Sequence, residues 1–325
     1  MMCATINVFC FSKLQQANSM DLKKLTDALT THMPPIMRWA GTVARRIRKF
    51  DIAVDAKSSG SANTDALTIA DLSVQELIVA CLRDTDPIFR QCRLQGEEST
   101  GDFERFATEA PYSIVIDPID GTKGYRDREG CAYSVMLSLQ TPESVEYSLV
   151  YIPEQGENGS WVFACGDLVA TGPDDPSRPA ADVVRTLAPI ITSERGSSKK
   201  IYLIGYQKQD AEKAQLVTDA GLEGVLAADM GGCHYWTFAR GEFTGSLIHS
   251  PNIYDFPVGM HIARILGGDA LWVHNEQPVH LRETWLDERA DMERLPGIVA
   301  CSADRAVLKT LCELARDWNP VRYQD

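Results

Sequence analysis

The stretch Ser113-Ile114-Val115-Ile116-Asp117-Pro118-Ile119-Asp120-Gly121-Thr122 constrains this chain more than any other. Four small or apolar residues predict a short buried strand, and it runs straight into two carboxylates, a proline, a glycine and a threonine. The acids therefore stand at a strand end. With Pro118 fixing the turn between them, Asp117, Asp120 and the Ile119 carbonyl can aim three oxygens at one point. Three converging oxygens suit a hard cation such as Mg²⁺, which takes oxygen ligands and keeps waters for a substrate. Upstream, Glu97 in Gly96-Glu97-Glu98-Ser99 is a candidate to complete the shell, and downstream so is Asp255 after Tyr254. Left unneutralised, that many acids would repel one another and raise their pKa values. The same string is also a good tight turn, so the cation reading rests on the combination of the three segments.

Composition narrows the partners. A net charge of -13 argues against binding a nucleic-acid polymer, which needs basic surface to displace phosphate counterions. A small anion can still be held if a metal inverts the local charge. The nine cysteines are scattered, and none forms a Cys-x-x-Cys pair. That usage suits a reducing compartment and speaks against a disulfide framework or a zinc site. No basic n-region precedes the mildly apolar start, and no run approaches membrane-spanning length. A cytoplasmic protein without a membrane partner is expected.

Taken in order, residues 1–19 read as a weakly structured lead-in. Residues 21–50 carry apolar positions at helical spacing interrupted by Pro34-Pro35, which predicts two helices or one strongly kinked one. A polar loop follows over 57–64, and then a helix with Asp71 at its start, where exposed amides favour a carboxylate. After the central motif, strands are predicted over 132–139, 145–152, 161–164 and 168–171, an antiparallel run. The turn-rich 172–179 segment marks the expected boundary between an N-terminal half, 1–175, and a C-terminal half, 176–325. Beyond it strands and helices alternate: strands 201–206, 225–228 and 243–248, helices 210–220, 233–239 and 255–266. Short strands near 270–273 and 298–300 lead to a last helix with Ser302 as its N-cap. That order makes an α/β (α+β) chain of stacked layers, an antiparallel sheet first and a mixed sheet second.

The motif Asp-Pro-Ile-Asp-Gly-Thr, unaltered at Asp117 to Thr122, resembles the signature of the inositol monophosphatase superfamily of metal-dependent, lithium-sensitive phosphatases. The likeness covers most of the chain from about residue 57 to 275. It implies a layered αβαβα sandwich and a phosphomonoesterase using two or three Mg²⁺ ions. Carried over by position, Glu97, Asp117, the Ile119 carbonyl, Asp120 and Asp255 are the implied metal ligands. Thr68-Ile69-Ala70-Asp71 matches an element whose Asp works with the motif's Thr, so Asp71 and Thr122 are the implied water-activating pair. The amides of Gly121 and Thr122 would receive phosphate oxygens if a helix or turn opens there.

Some positions refine the likeness. Tyr254-Asp255-Phe256-Pro257 keeps the Asp of a second signature but replaces its Trp. Lys123-Gly124-Tyr125 is similar to the 3'(2'),5'-bisphosphate nucleotidase branch. Tyr254 and the segment from Gly231 to Trp236 are aromatic enough for a substrate wall. His234 could touch substrate, although a His beside aromatics reads more readily as a packed residue. Lys199-Lys200 reads as a solvated loop pair and Trp236 and Phe238 as core. The implied substrate is a small phosphorylated metabolite, first the 3'-phosphate of adenosine 3',5'-bisphosphate, then an inositol or sugar phosphate; a homodimer would be ordinary for the family. The fold alone would also admit a regulatory binding protein with a vestigial site. The intact acid set argues against that.

Overall fold

A computed structural model describes residues 20–49, 69–128 and 133–323. The expected lead-in, the 57–64 loop and Thr68 lie outside the described residues.

Helix α1, Leu22–Ile47, is capped by Asp21, whose side chain accepts from the amides of Lys23 and Lys24. It runs through Pro34 and Pro35 as one element, where two helices or a strong kink were expected. Each proline removes one i→i−4 bond. The helix persists because a whole apolar stripe is buried, including Leu25, Leu29, Met33, Met37 and Ala40. Helix α2, Ile69–Thr85, packs beside it with Asp71 in its first turn.

The first sheet runs in sequence order: β1 Arg93–Gly96, β2 Ser113–Asp120, β3 Ser134–Gln140, β4 Val145–Ile152, β5 Ser160–Cys165, β6 Leu168–Pro173 and β7 Ala188–Pro189. It is antiparallel except for β1, which pairs parallel to β2. That parallel edge escaped the sequence reading because β1 is only four residues long. A six-residue helix, Ala180–Arg185, joins the core formed by α1 and α2. The second sheet is mixed, with Lys200–Ile204, Glu223–Leu226, Gly245–His249, Asp269–Trp272 and Ile298–Ser302 as strands.

Period-two alternation shows how the layers stack. From the first sheet, Ile114, Ile116, Leu137, Leu149 and Phe163 join the core under α1 and α2. Their neighbours Val115, Met136, Val150 and Val162 enter a middle core with the helices His234–Arg240 and Phe256–Ile265. Val299 and Cys301 of the second sheet enter that same middle core, while Ile298 and Ala300 face a third, under the helices Asp210–Asp219 and Arg305–Ala315. The result is the expected αβαβα sandwich. The last helix is capped by Asp304, not Ser302: the Asp304 side chain accepts from the amides of Ala306 and Val307. Ser302 sits two residues earlier, accepting from the Asp304 amide and donating to the Thr244 carbonyl.

Candidate active site

Asp117 lies on the face of β2 that looks toward the second half, two residues on from Val115 in the middle core. In a regular strand a residue three further on would point to the opposite face. The pairing slips between the two acids, however: Asp117 lies opposite Met136 and Asp120 opposite Ser134, so β2 carries one extra residue there. This bulge around Pro118 returns both carboxylates to one side, while the Ile119 side chain enters the first core. Asp255 arrives from the second half, in a turn where Asn252 Oδ1 accepts from the amides of Tyr254 at 2.8 Å and Asp255 at 3.0 Å. One carboxylate oxygen from each of Asp117, Asp120 and Asp255 lies within 4.8 Å of the others. Glu97 borders the same cleft.

Such crowding shifts the acids. Burial pushes Asp117 well above the usual carboxylate range, and the charges of Glu97, Asp120 and Asp255 push it further. Asp120 rises to about 7 through burial and Asp255, against the Ser134 hydroxyl that donates to it at 2.9 Å. Burial lifts Asp255 to about 6, opposed by Asn252, the Phe256 amide and Arg294. Asp117 Oδ1 is buried with no hydrogen-bond partner. An orphaned buried acceptor among mutually repelling carboxylates fits a hard divalent cation, and an all-oxygen donor set fits Mg²⁺ in particular.

Beside the acids, Gly121 takes a left-handed φ of 84° and turns the chain into the short helix α3, Thr122–Asp127. The Thr122 hydroxyl lies 2.8 Å from the Ile119 carbonyl and 3.2 Å from Asp71 Oδ1. Its single proton can serve one of these acceptors fully at a time. Asp71 is 1% exposed and lies behind Thr122, outside the cleft lining.

Two supports went unread in the sequence. Gln75, fully buried on α2, donates to the carbonyls of Glu98 at 2.5 Å and Thr100 at 2.7 Å and accepts from the Glu98 amide at 3.0 Å. It clamps the turn that presents Glu97. Arg48, just past α1, donates to the carbonyls of Gly124 and Tyr125, both at 2.9 Å, and so anchors α3. A glutamine four residues after Asp71 shares its helix face, which was the only available signal.

The acids open into a cleft of about 950 Å³. Its aromatic lining is Tyr202, Tyr206, His234, Tyr235, Trp318 and Tyr323. Tyr254 is not part of it; 7% exposed, that ring packs in the middle core. A residue beside a ligand in sequence need not share its direction, and the Asn252 turn sends the two side chains apart. His234 is both packed and at the cleft: it stacks on Tyr202 with centroids 4.6 Å apart, and burial lowers its pKa to about 3. Phe238 is core, Trp236 is half-buried beneath Arg240, and Lys200 faces Glu223 away from the cleft lining.

The five layers and the acids gathered between the two sheets define a class: an α/β sandwich with a cluster of carboxylates at its centre. The chain belongs to the inositol monophosphatase family, whose model matches residues 27–316, and it is accordingly a phosphatase. It is 25% identical over 204 residues to inositol monophosphatase 1 of Mus musculus, covering 61% of this chain and 68% of that protein. CysQ from Bacteroides thetaiotaomicron, a bacterial member of the family, superposes with a TM-score of 0.59 at 19% identity, covering 86% of this chain and 98% of that one. An IMPase/NADP phosphatase complexed with NADP and Ca²⁺ gives a TM-score of 0.63 at 13% identity, covering 94% and 100%. Among the described residues no helix is long and apolar enough to cross a membrane.

Proposed function

We propose that this phosphatase hydrolyses the 3'-phosphate of adenosine 3',5'-bisphosphate or a closely related nucleotide. The convergence of Asp117, Asp120 and Asp255 carries the phosphomonoesterase part of the reading; the aromatic lining of the cleft favours a nucleotide. Residues 1–175 supply Glu97, Asp117, the Ile119 carbonyl and Asp120, and residues 176–325 supply Asp255, a donor set sized for two or three Mg²⁺ ions. Bound there, Mg²⁺ supplies Lewis acidity and neutralises charge on the phosphoryl group and the leaving oxygen. Thr122 donates its proton to Asp71, which leaves the Thr122 oxygen lone pairs free to accept a proton from the attacking water. Asp71 thus acts through Thr122. The amides of Gly121 and Thr122, where the chain turns into α3 at the cleft, would receive the phosphoryl oxygens. Tyr202, backed by His234, offers planar surface to a base.

The second reading is an inositol phosphate, favoured by the 25% identity to a mammalian inositol monophosphatase. A phosphate-release screen with Mg²⁺ over adenosine 3',5'-bisphosphate, inositol 1-phosphate and sugar phosphates decides between them. Release from the nucleotide with the higher kcat/KM is expected; preference for the inositol ester replaces the substrate and leaves the phosphatase standing. Li⁺ is expected to inhibit, and turnover indifferent to Li⁺ would place the chain outside the lithium-sensitive members.

A further inference from the structure

Strand β3 has two unlike faces. Val135, Leu137 and Leu139 enter the first core, as alternate residues of a buried strand should. The face toward the middle core carries Ser134, Met136, Ser138 and Gln140, and its three polar residues are each 5% exposed or less. The layer they enter is built mainly from apolar side chains, among them Val115, Val150, Val162, Ile253 and Phe256. A polar group buried in such a layer costs free energy unless it is hydrogen-bonded, so its partner shows what it holds.

The partners belong to the acid cluster. At one end of β3 the Ser134 hydroxyl donates to Asp120 Oδ2 at 2.9 Å. At the other end Gln140 Nε2 donates to the Ile253 carbonyl and to Ser138 Oγ, both at 3.0 Å. Ile253 stands two residues before Asp255, in the turn that Asn252 closes. One strand thus touches Asp120 directly and also grips the turn that delivers Asp255.

Neighbouring bonds fasten the same region. Ser138 lies opposite Ser148 of β4, and Ser148 Oγ is 2.9 Å from Nδ1 of His261, on the helix Phe256–Ile265 that follows Asp255. Two residues past Gln140, the Pro142 carbonyl accepts from the Leu281 amide at 2.8 Å. On the far side of the turn the Ile253 amide donates to the Glu293 carbonyl at 3.2 Å, and the Leu295 amide donates to the Pro251 carbonyl at 2.8 Å. Segment 251–255 is therefore held by the strand Met292–Arg294 on one side and by Gln140 on the other. Apolar burial is non-directional, whereas a hydrogen bond weakens steeply away from its preferred distance and angle. Apolar packing alone would press this turn against the sheet without setting its register.

We infer that Gln140 is a positioning residue: by holding the Ile253 carbonyl it sets where Asp255 stands relative to Asp117 and Asp120, with β3 as the gauge between them. This placement is independent of which phosphate ester is hydrolysed.

Calorimetric titration of Mg²⁺ into the substrate-free protein tests the role against a control in the same layer. Gln140→Met keeps the length of the side chain and removes the donor. It should weaken Mg²⁺ binding about tenfold, within the range that hydrogen-bond partners of metal ligands contribute. Val150→Ala, at a fully buried position of β4 in the same core, opens a cavity without cutting a polar link. It should lower Tm and leave Mg²⁺ affinity close to wild type. Wild-type affinity in Gln140→Met overturns the positioning role. So does equal weakening in the two variants, which would trace the loss to stability alone. If Gln140→Met does not fold, Ser138→Ala, which releases the same side-chain amide, should weaken binding about threefold, and unchanged affinity there overturns the role. A wild type that takes up no Mg²⁺ would count against the metal reading and not against Gln140, whose role is then read from a crystal structure of Gln140→Met. With the first sheets superposed, Asp255 should stand about 0.5 Å or more from its wild-type place, and an unmoved Asp255 overturns the role.

Discussion

Asp117 combines three properties at one side chain: it is 2% exposed, one oxygen lacks a partner, and three neighbouring acids raise its pKa. Replacing it by Asn halves what it offers a cation, so Asp117→Asn should lose Mg²⁺-dependent phosphate release while keeping the wild-type circular dichroism spectrum. Full turnover in excess chelator would refute the metal requirement. The raised pKa values also make a statement about stability. With Asp120 at about 7 and Asp255 at about 6, both above an unfolded value of 3.8, the metal-free fold holds protons that the unfolded chain gives up. Their contribution is fully present below about pH 4 and is lost as pH rises through 6 to 7. Mg²⁺ should therefore raise Tm more at pH 8 than at pH 5, and Asp120→Asn should shrink that difference. A Tm gain from Mg²⁺ that is equal at both pH values would count against the coupling. Thr122→Ala should lower kcat by about a hundredfold with little change in KM, as expected for loss of a general-base contact; a raised KM at constant kcat would make Thr122 a phosphate contact only.

Among the elements, the loop carrying Glu97 depends on α2 through Gln75. Truncating Gln75 to Ala removes three hydrogen bonds to the Glu98–Thr100 turn, a loss of about 1–3 kcal/mol. A lower Tm and a higher Mg²⁺ requirement are expected together, and a variant with wild-type Mg²⁺ affinity would make Gln75 purely structural. Element identity was largely legible: the antiparallel run, the alternating second half and the site acids all follow from periodicity and motif. The exceptions have specific causes. Continuity of α1 through Pro34 and Pro35 depends on burial against neighbours that no local window contains. The hairpin of Trp285–Asp287 with Met292–Arg294 went unpredicted because three-residue strands show no period, and it carries Arg294, which lines the cleft, and its partner Asp287. Tyr254 was misdirected because the Asn252 turn decides which way it faces.

At the level of the whole molecule, the acids converge only between the two large sheets. Asp117 and Asp120 leave the end of a strand in the first sheet, Asp255 precedes a helix of the middle layer, and Trp318 to Tyr323 close the far wall. Membership of the family was readable from six consecutive residues because metal chemistry tolerates little change there. Substrate choice was not, because the cleft lining is gathered from separated segments such as Tyr202, Gln207, Arg294 and Arg322. The order in which these pieces occur along the chain also has a temporal side. A ribosome releases the strongly acidic ends of β2 long before it releases Asp255, and the last wall of the cleft emerges only with residues 318–323. Until those pieces emerge, the acid cluster and the cleft that surrounds it cannot be completed. A bulky side chain introduced at Val321, which is exposed and lines the cleft, would press on the cleft itself, so such a variant should alter substrate selection before any loss of fold.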